Sequence, residues 1–481
     1  MKKNKILVTG SSGYVGGRLI NYLANQQYLV RCTARRPHYI EGRFPSSVDV
    51  VKCDATSLSD LMEALKQIDV AFYMIHSLGT SDDKFEKLEE LCAQNFAKAA
   101  QKNGVKKIVY LGGIIAKNQE SNLSSHMRSR LHVGDILRQS GIPVITLRAS
   151  IIIGSGSLSF EICRSLCERL PVMIVPKWVT IEAQPIAIDD VIKYLYKSIE
   201  LNLDKSMIFD IGCPQKTSYL GLMETYIRLT NKKRFILRFP FLSLRLSSYW
   251  LALITPVYSR IGRKLIESLR NPTIVERKDD TNIFGINPMT LQDAINIALV
   301  DKEETHWASS LSSTYSYSNS TLDYSTKEKI FDTYSLKINA PDEKVFSVIQ
   351  RIGGNQGWYF ANTLWKIRAF IDSLIGGPGF RRKRRDEIFL KPGDIVDWWR
   401  VEKIENKKNI HLRAEMKLPG RAWLYFEIKK INDTQINLEQ TAIFLPFGIL
   451  GYMYWYILYP IHWIIFQGMC RHIKKRSEKN V

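Results

Sequence analysis

Gly10, Gly13 and Gly16, in the stretch VTGSSGYVGGRL, follow a short apolar run and open a helical pattern. Glycines at such a turn let the backbone approach a pyrophosphate, whose charge then lies at the helix N-terminus. Thr9, Ser12, Tyr14 and Val15 belong to the same turn and are read with it as a phosphate cradle; with nothing bound, the same residues would make a tight strand-to-helix connection. A second candidate stands at the end of the next strand, YLVRCTARRP, where no acid occurs before Glu41 and Arg35 and Arg36 stand instead. An acid at that place would hold a ribose 2′-hydroxyl, whereas guanidinium groups suit a 2′-phosphate through bidentate, charge-assisted bonds. That favours NADP(H) over NAD(H). Asp54 and Ala55, in VKCDATS, are placed to meet an adenine amino group, although an Asx turn would look the same. Further on, SSHMRSRLHVG (residues 124–134) interleaves two histidines with two arginines. From its composition this stretch suits an active site, a clamp for an anion, or a solvated helix face.

These residues need a scaffold, and the first third of the chain supplies the pattern of one. KILVTG, YLVRCTA, VDVVKCD, DVAFYMIHS, KKIVYLGG and IPVITLRAS read as strands, separated by stretches of helical periodicity. Such alternation predicts right-handed crossovers and an α/β Rossmann architecture, a doubly wound parallel sheet. After Ser150 the pattern loosens into a substrate-side lobe, so the first domain is placed at residues 1–300. Residues 239–269 are apolar and aromatic with interspersed arginine and lysine, and suit an amphipathic segment against a bilayer or over a pocket. Residues 301–327 are Ser/Thr-rich without apolar periodicity and read as a linker. From 328 to 481 a strand and helix precede several alternating strands, which predicts an α+β domain with an antiparallel sheet. Trp358, Tyr359, Phe360 and Trp365 suit its core or the wall of an apolar cavity. Arg381 to Arg385 suit a solvated loop or contact with anionic lipid head groups. Thr441 to Met469 carries no Lys, Arg, Asp or Glu. A long helix packed on the sheet is preferred there to a membrane span, because Pro446, Pro460 and His462 interrupt the stretch.

At 481 residues the chain exceeds one compact domain of about 150 residues. Its net charge of +21 favours an acidic partner: a phosphorylated cofactor, an anionic membrane face or, last, nucleic acid, for which no recognition motif is present. Seven cysteines without regular spacing argue against a disulfide scaffold and give no metal-site pattern. Cys163 and Cys167, one helical turn apart, read as buried thiols. The apolar run at the N-terminus is too short for a secretory signal, so a cytoplasmic protein is expected, with possible association to the inner face of the cell membrane.

TGSSGYVGG, Asp54 after the third strand, YMIHS after the fourth and Asn95 in the next helix together resemble the extended and atypical branch of the short-chain dehydrogenase/reductase superfamily. Within it the chain is similar to the NmrA-like group and to an accessory subunit of respiratory complex I. Residues 330–481 resemble, by pattern, a START-type (SRPBCC) helix-grip domain. The first resemblance implies a Tyr-x-x-x-Lys pair on the helix after the fifth strand, where the phenol protonates a carbonyl and the lysine holds the nicotinamide ribose. His126 and Arg130 stand at those positions. The serine expected after the fifth strand is absent, and Gly112 and Gly113 occupy its place. At 100° per residue, His126 and Arg130 share a helix side with Val133, Gly134 and Leu137, while Arg128, His132 and Asp135 take the other. Arg130 thus suits a ribose or phosphate contact, and His126 suits an acid, a cofactor contact or packing. His76, at the mouth of the fourth strand, is a comparable candidate near the nicotinamide. Three functions follow from the resemblance and the composition. They are an NADPH-dependent reductase of an apolar carbonyl- or quinone-type substrate, a nucleotide-binding sensor or assembly protein without turnover, and a lipid- or quinone-handling protein at a membrane face.

Overall fold

The computed structural model describes residues 4–37, 40, 43–76, 82–115, 123–202, 204–238, 267, 271–276, 283–300, 329–374 and 384–479. The chain divides into two compact units, residues 1–318 and 319–481. The segments read as a linker (301–327) and, apart from residue 267, as an amphipathic stretch (239–269) lie outside the described residues.

The first unit is built on a seven-stranded parallel sheet of β1 (Lys5–Val8), β2 (Leu29–Ala34), β3 (Asp49–Lys52), β4 (Val70–Tyr73), β5 (Lys107–Gly113), β6 (Val144–Ala149) and β7 (Met207–Ile211). Their spatial order is 7-6-5-4-1-2-3, all neighbours parallel, so the order reverses between β1 and β4. Helices cover both faces. Ile6 and Val8 of β1, with Val109 and Leu111 of β5, pack on one side with α1 (Tyr14–Asn25) and a later helix (Ile188–Glu200). Leu7, Ala71, Ile108 and Tyr110 pack on the other with α2 (Leu58–Ala64), α3 (Asp82–Lys102) and α4 (Ser125–Arg138). Because both faces are buried, the strands are predominantly apolar rather than alternating, the texture from which six of the seven strands are legible. The seventh, MIFDI, was not among the predicted strands. It is held to β6 by a bidentate pair in which Arg148 Nε donates to Asp210 Oδ1 at 2.6 Å and Nη2 to Oδ2 at 2.9 Å. A separate apolar cluster around Phe160, Cys163, Cys167, Tyr219 and Tyr226 forms the lobe that follows β6.

The second unit is an α+β domain, a six-stranded antiparallel sheet with helices packed on it. In chain order it has β8 (Ile330–Ile338), β9 (Ile395–Val396), β10 (Trp399–Glu405), β11 (Asn409–Ala414), β12 (Gly420–Asn432) and β13 (Gln435–Pro446), in the spatial order 8-13-12-11-10-9. Its core carries Trp358, Trp365, Trp398 and Trp399. The charge-free stretch from Thr441 is not one helix: residues up to Pro446 complete β13, and a helix runs from Gly448 to Glu478. This helix is long and apolar enough to cross a membrane by length and composition, yet Ile465, Phe466, Met469, Cys470 and Ile473 are buried in the domain's core.

Two members of the basic run differ from a solvated or lipid-facing loop. Arg384 is 8% exposed and donates to the carbonyls of Gln350 and Asp386 at 2.8 and 2.9 Å, while Arg385 pairs with Asp394 at 3.0 Å. They brace the turn leading into the sheet; residues 381–383 lie outside the described residues.

Asp397 gives this domain a pH dependence. It is 4% exposed, and its Oδ2 accepts the indole N–H of Trp358 at 2.8 Å. Burial pushes its carboxyl up to about 6, partly offset by that bond, by a backbone N–H and by Arg384. An acid whose pKa is higher in the fold than in the unfolded chain favours the fold when protonated, so its contribution is lost as pH rises from about 4 to about 6. Asn is isosteric, still accepts from Trp358 and tolerates the left-handed backbone of this position (φ +56°). Asp397→Asn should therefore unfold several degrees above wild type at pH 7.5, and the gap should be about half as large at pH 5, where the unfolded carboxyl is still ionised but the folded one is mostly protonated. A gap of equal size at both pH values in scanning calorimetry would contradict the assignment.

Candidate functional site

The crevice opens where the sheet order reverses, at the carboxyl ends of β1 and β4. Gly10 turns the chain out of β1 with φ +64°, and a β-carbon there would lie 2.3 Å from the carbonyl oxygen of Met74. A β-carbon on Gly16 would lie 2.5 Å from the Gly10 carbonyl oxygen, so α1 can start this close to the turn only with glycine. Gly13 N–H donates to that same carbonyl at 2.8 Å and caps α1, which has no side-chain cap and no acid in its first turn. The positive end of α1 is thereby presented beside a tight, side-chain-free turn, a cradle that fits a pyrophosphate.

The surrounding residues divide into contacts and braces. Thr9 is fully buried; its Oγ1 donates to the Phe72 carbonyl at 3.0 Å and accepts from Met74 N–H at 2.9 Å. It ties β1 to β4 and has no surface to offer a ligand. The Tyr14 ring is buried in the core, while Ser12 and Val15 are half-buried at the turn. Arg35 is exposed and Arg36 half-buried just beyond β2. Asp54 forms an Asx turn, its Oδ1 accepting from Thr56 N–H at 3.0 Å and from Thr56 Oγ1 at 2.8 Å. Asn95 braces that loop by donating to the carbonyls of Thr56 at 2.9 Å and Ala55 at 3.4 Å.

The structure brings together two histidines that are fifty residues apart in sequence. His126 Nε2 lies 3.0 Å from His76 Nε2, and His76 Nδ1 lies 2.9 Å from Oε1 of Glu89. Glu89 is 2% exposed, and its second oxygen accepts from Ser129 Oγ at 2.8 Å. A buried carboxylate that accepts from His76 Nδ1–H leaves His76 Nε2 to receive the N–H of His126. A further proton can then reside on the pair without either hydrogen bond being lost. The arrangement is a hydrogen-bonded chain running from α3, through the end of β4, to the first turn of α4, and its chemistry suits passing a proton along it.

Arg130 turns elsewhere. Its guanidinium donates to the Leu111 carbonyl and lies 5.1 Å from the ring of Tyr110, whose hydroxyl donates to the Arg130 carbonyl at 2.9 Å. Arg128 and His132 face outward and pair with Glu86 and Glu90. Gly112 is buried, and a β-carbon at Gly113 would meet only the flexible end of the Met127 side chain, 2.8 Å from its Cε. Tyr73 and Tyr110 are buried beneath α4, and burial raises both phenols, Tyr110 to about 12. The seven cysteines are buried as free thiols, and burial pushes Cys32, Cys53 and Cys92 up to about 12, so none of these three is a thiolate at neutral pH. Among the described residues no cluster of His, Cys, Asp and Glu is arranged to hold a metal ion.

Glu89 and Ser129 were not among the predicted site residues. The signal for Glu89 is its place on the stripe with Cys92, Ala93 and Phe96, all buried: an acid among apolar residues needs a partner.

Residues 2–158 match the NmrA-like family, and residues 327–469 match a family described as a protein of unknown function, DUF2867. The auxiliary protein GraX of Staphylococcus aureus (strain NCTC 8325 / PS 47) is 28% identical over 117 residues, which are 23% of this chain and 37% of that protein. Among solved structures, the UDP-glucose 4-epimerase of Thermotoga maritima with UDP-glucose superimposes with a TM-score of 0.49 at 14% identity, covering 62% of this chain and 97% of that one. The Bordetella bronchiseptica enzyme WbmH in complex with NAD+ gives 0.47 at 14% identity, with 62% and 97% coverage. The sheet order and the glycine turn make the first unit a Rossmann-type α/β domain, and over residues 2–158 it is similar to the NmrA-like family. A second, α+β domain is fused to it.

Gly13→Asp places a carboxylate at the positive end of α1, where its β-carbon already lies 3.0 Å from the Gly10 carbonyl oxygen. The variant should keep its circular dichroism and lose nucleotide binding by at least a hundredfold. Retained affinity in a fluorescence titration would remove the phosphate-cradle assignment.

Proposed function

We propose that the protein is an NADP(H)-dependent oxidoreductase that reduces an apolar carbonyl- or quinone-type substrate, with His126 as the proton donor and His76 and Glu89 behind it. The Glu89–His76–His126 chain carries this reading, because it sets a half-buried imidazole, oriented through His76 by a buried carboxylate, where the resemblance expects a phenol. Gly10, Gly13, Gly16 and the first turn of α1 would hold the pyrophosphate of the cofactor, which supplies the hydride when bound. Arg35 and Arg36 would meet its 2′-phosphate. His126 gives its proton to the substrate oxygen as negative charge develops there, and His76 stabilises the pair through the bridge between the two rings. Glu89 fixes the ring of His76 and favours its charged form. A basic chain with an apolar C-terminal helix supports a cytoplasmic protein working at an anionic membrane face.

One observation favours a second reading, nucleotide binding without turnover. Arg130, at the position of the expected lysine, is engaged by the Leu111 carbonyl rather than turned toward a ribose. Native mass spectrometry of the gently purified protein, followed by NADPH oxidation with a panel of apolar aldehydes, ketones and quinones, separates the two. Turnover supports the reductase; bound nucleotide with no turnover by any member of the panel supports the sensor.

Arg35→Asp with Arg36→Asp should weaken NADPH binding at least tenfold more than NADH binding; equal losses would show that neither arginine reads the 2′-phosphate. In a turning-over enzyme, His126→Ala should lower kcat by about 10²-fold or more with nucleotide affinity unchanged. Glu89→Gln keeps the hydrogen-bonding shape but removes the charge, so kcat should fall and its pH profile should move to lower pH. An unmoved profile would reduce Glu89 to packing.

A further inference from the structure

The last helix presents two unlike faces. From Ile465 onward it is buried in the core of the second unit, but over residues 448–464 a narrow stripe around Gly451 and Trp455 packs inward and the remainder faces out. On that outer face Ile449 is 80%, Leu450 72%, Ile457 67% and Trp463 50% exposed, with Tyr452, Tyr456 and Tyr459 among them. A water-facing helix carries polar residues on its outer side; this one has no Lys, Arg, Asp or Glu before Arg471. The neighbouring helix Asn362–Leu374 is similar, with Ile367, Phe370 and Leu374 between 52% and 62% exposed. A contiguous apolar surface of this extent on a folded domain marks an interaction site.

An apolar cavity of about 230 Å³ lies beneath these helices, walled by Trp399, Ala442 and Phe444 of the sheet. Leu364, Ile367, Ile371 and Ile461 line it and are also 45–52% exposed, so the cavity opens onto the apolar surface rather than onto a polar rim. Among the described residues, Arg368 is the one lining side chain that is charged at neutral pH, and its Nη1 is buried with no partner. Burial and the adjacent Arg368 push His462 down to about 4, leaving that ring neutral.

We propose that the second unit docks on one leaflet of a lipid bilayer through this surface, and that the cavity takes the apolar chain of an anion-headed amphiphile with its head beside Arg368. The occupant of the surface is lipid because its exposed residues combine aliphatic side chains with tyrosine and tryptophan, whose polar tips suit the head-group layer. The helix lies in the interface and does not cross it, since its inner stripe is packed on the sheet. A chain leaving the bilayer enters the cavity without passing through water. This site is independent of the dinucleotide reading, and failure of nucleotide turnover would leave it standing.

The full-length protein should float with vesicles of phosphatidylcholine and phosphatidylglycerol, and Ile449→Glu/Ile457→Glu/Trp463→Glu should abolish flotation while nucleotide binding, a readout of the first unit, is unchanged. Light scattering in detergent-free buffer should then show the triple variant less self-associated than wild type. Flotation retained by the triple variant, or a stable dimer that covers the surface and does not float, would overturn the docking. For the cavity, cis-parinaric acid should bind with enhanced fluorescence. Ala442→Trp should lose that binding but still float, and Arg368→Leu should weaken the acid at least tenfold while leaving its methyl ester unaffected. Unchanged binding of the acid by Ala442→Trp, or equal effects of Arg368→Leu on acid and ester, would overturn the ligand assignment.

Discussion

The close approach of Gly10 to Met74 is the constraint on which the candidate site rests. With 2.3 Å between a would-be β-carbon and the Met74 carbonyl oxygen, no side chain can occupy position 10. Thr9 reinforces the contact by bonding both Phe72 and Met74. The phosphate cradle and the end of β4 are therefore one rigid piece, and His76 follows Met74 by two residues. A dinucleotide seated on the turn would find the histidine pair at a distance set by backbone packing rather than by loop conformation, as reaction geometry requires.

The histidine pair is bought with a buried carboxylate. Placing Glu89 at 2% exposure between α3 and α4 is costly unless its charge is matched. Ser129 and His76 supply two donors, one from α4 and one from the end of β4. The same pairing settles where α4 sits, because Ser129 is one turn from His126. Stability and chemistry thus pull in one direction here: the interaction that satisfies the acid also orients the imidazole. The arrangement differs from a tyrosine–lysine pair in that the charge beside the proton donor is a buried anion instead of a cation.

Much of this architecture is legible in the sequence, for identifiable reasons. Strands buried on both faces are predominantly apolar, and glycine at a forced turn leaves a recognisable spacing. The seventh strand was missed because MIFDI lies beyond the loosened lobe, away from the alternation that marks the first six. Glu89 was missed because EKLEELCAQNF resembles a solvated helix, and only its register against Cys92 and Phe96 shows which of its acids points inward. Arg384 misled for the opposite reason: a run of five basic residues suggests solvent, while Arg384 is drawn inward by the carbonyl of Gln350, 34 residues earlier, and Arg385 by Asp394, and neither pairing is marked in the sequence. The charge-free stretch from Thr441 joins a strand to a helix, two elements that hydropathy alone cannot divide.

The two proposed sites require opposite solvents. A dinucleotide carries several charges and belongs in water, whereas an apolar-chain ligand is scarce there and concentrated in the bilayer. An enzyme that diffused between the two phases would be limited by the ligand's low aqueous concentration. Joining a unit proposed to bind nucleotide to a unit proposed to dock on a leaflet, on one chain, replaces that concentration with an effective one set by the connecting segment. The covalent fusion, rather than any single residue, would then be what lets a soluble reductant meet a lipid-phase substrate.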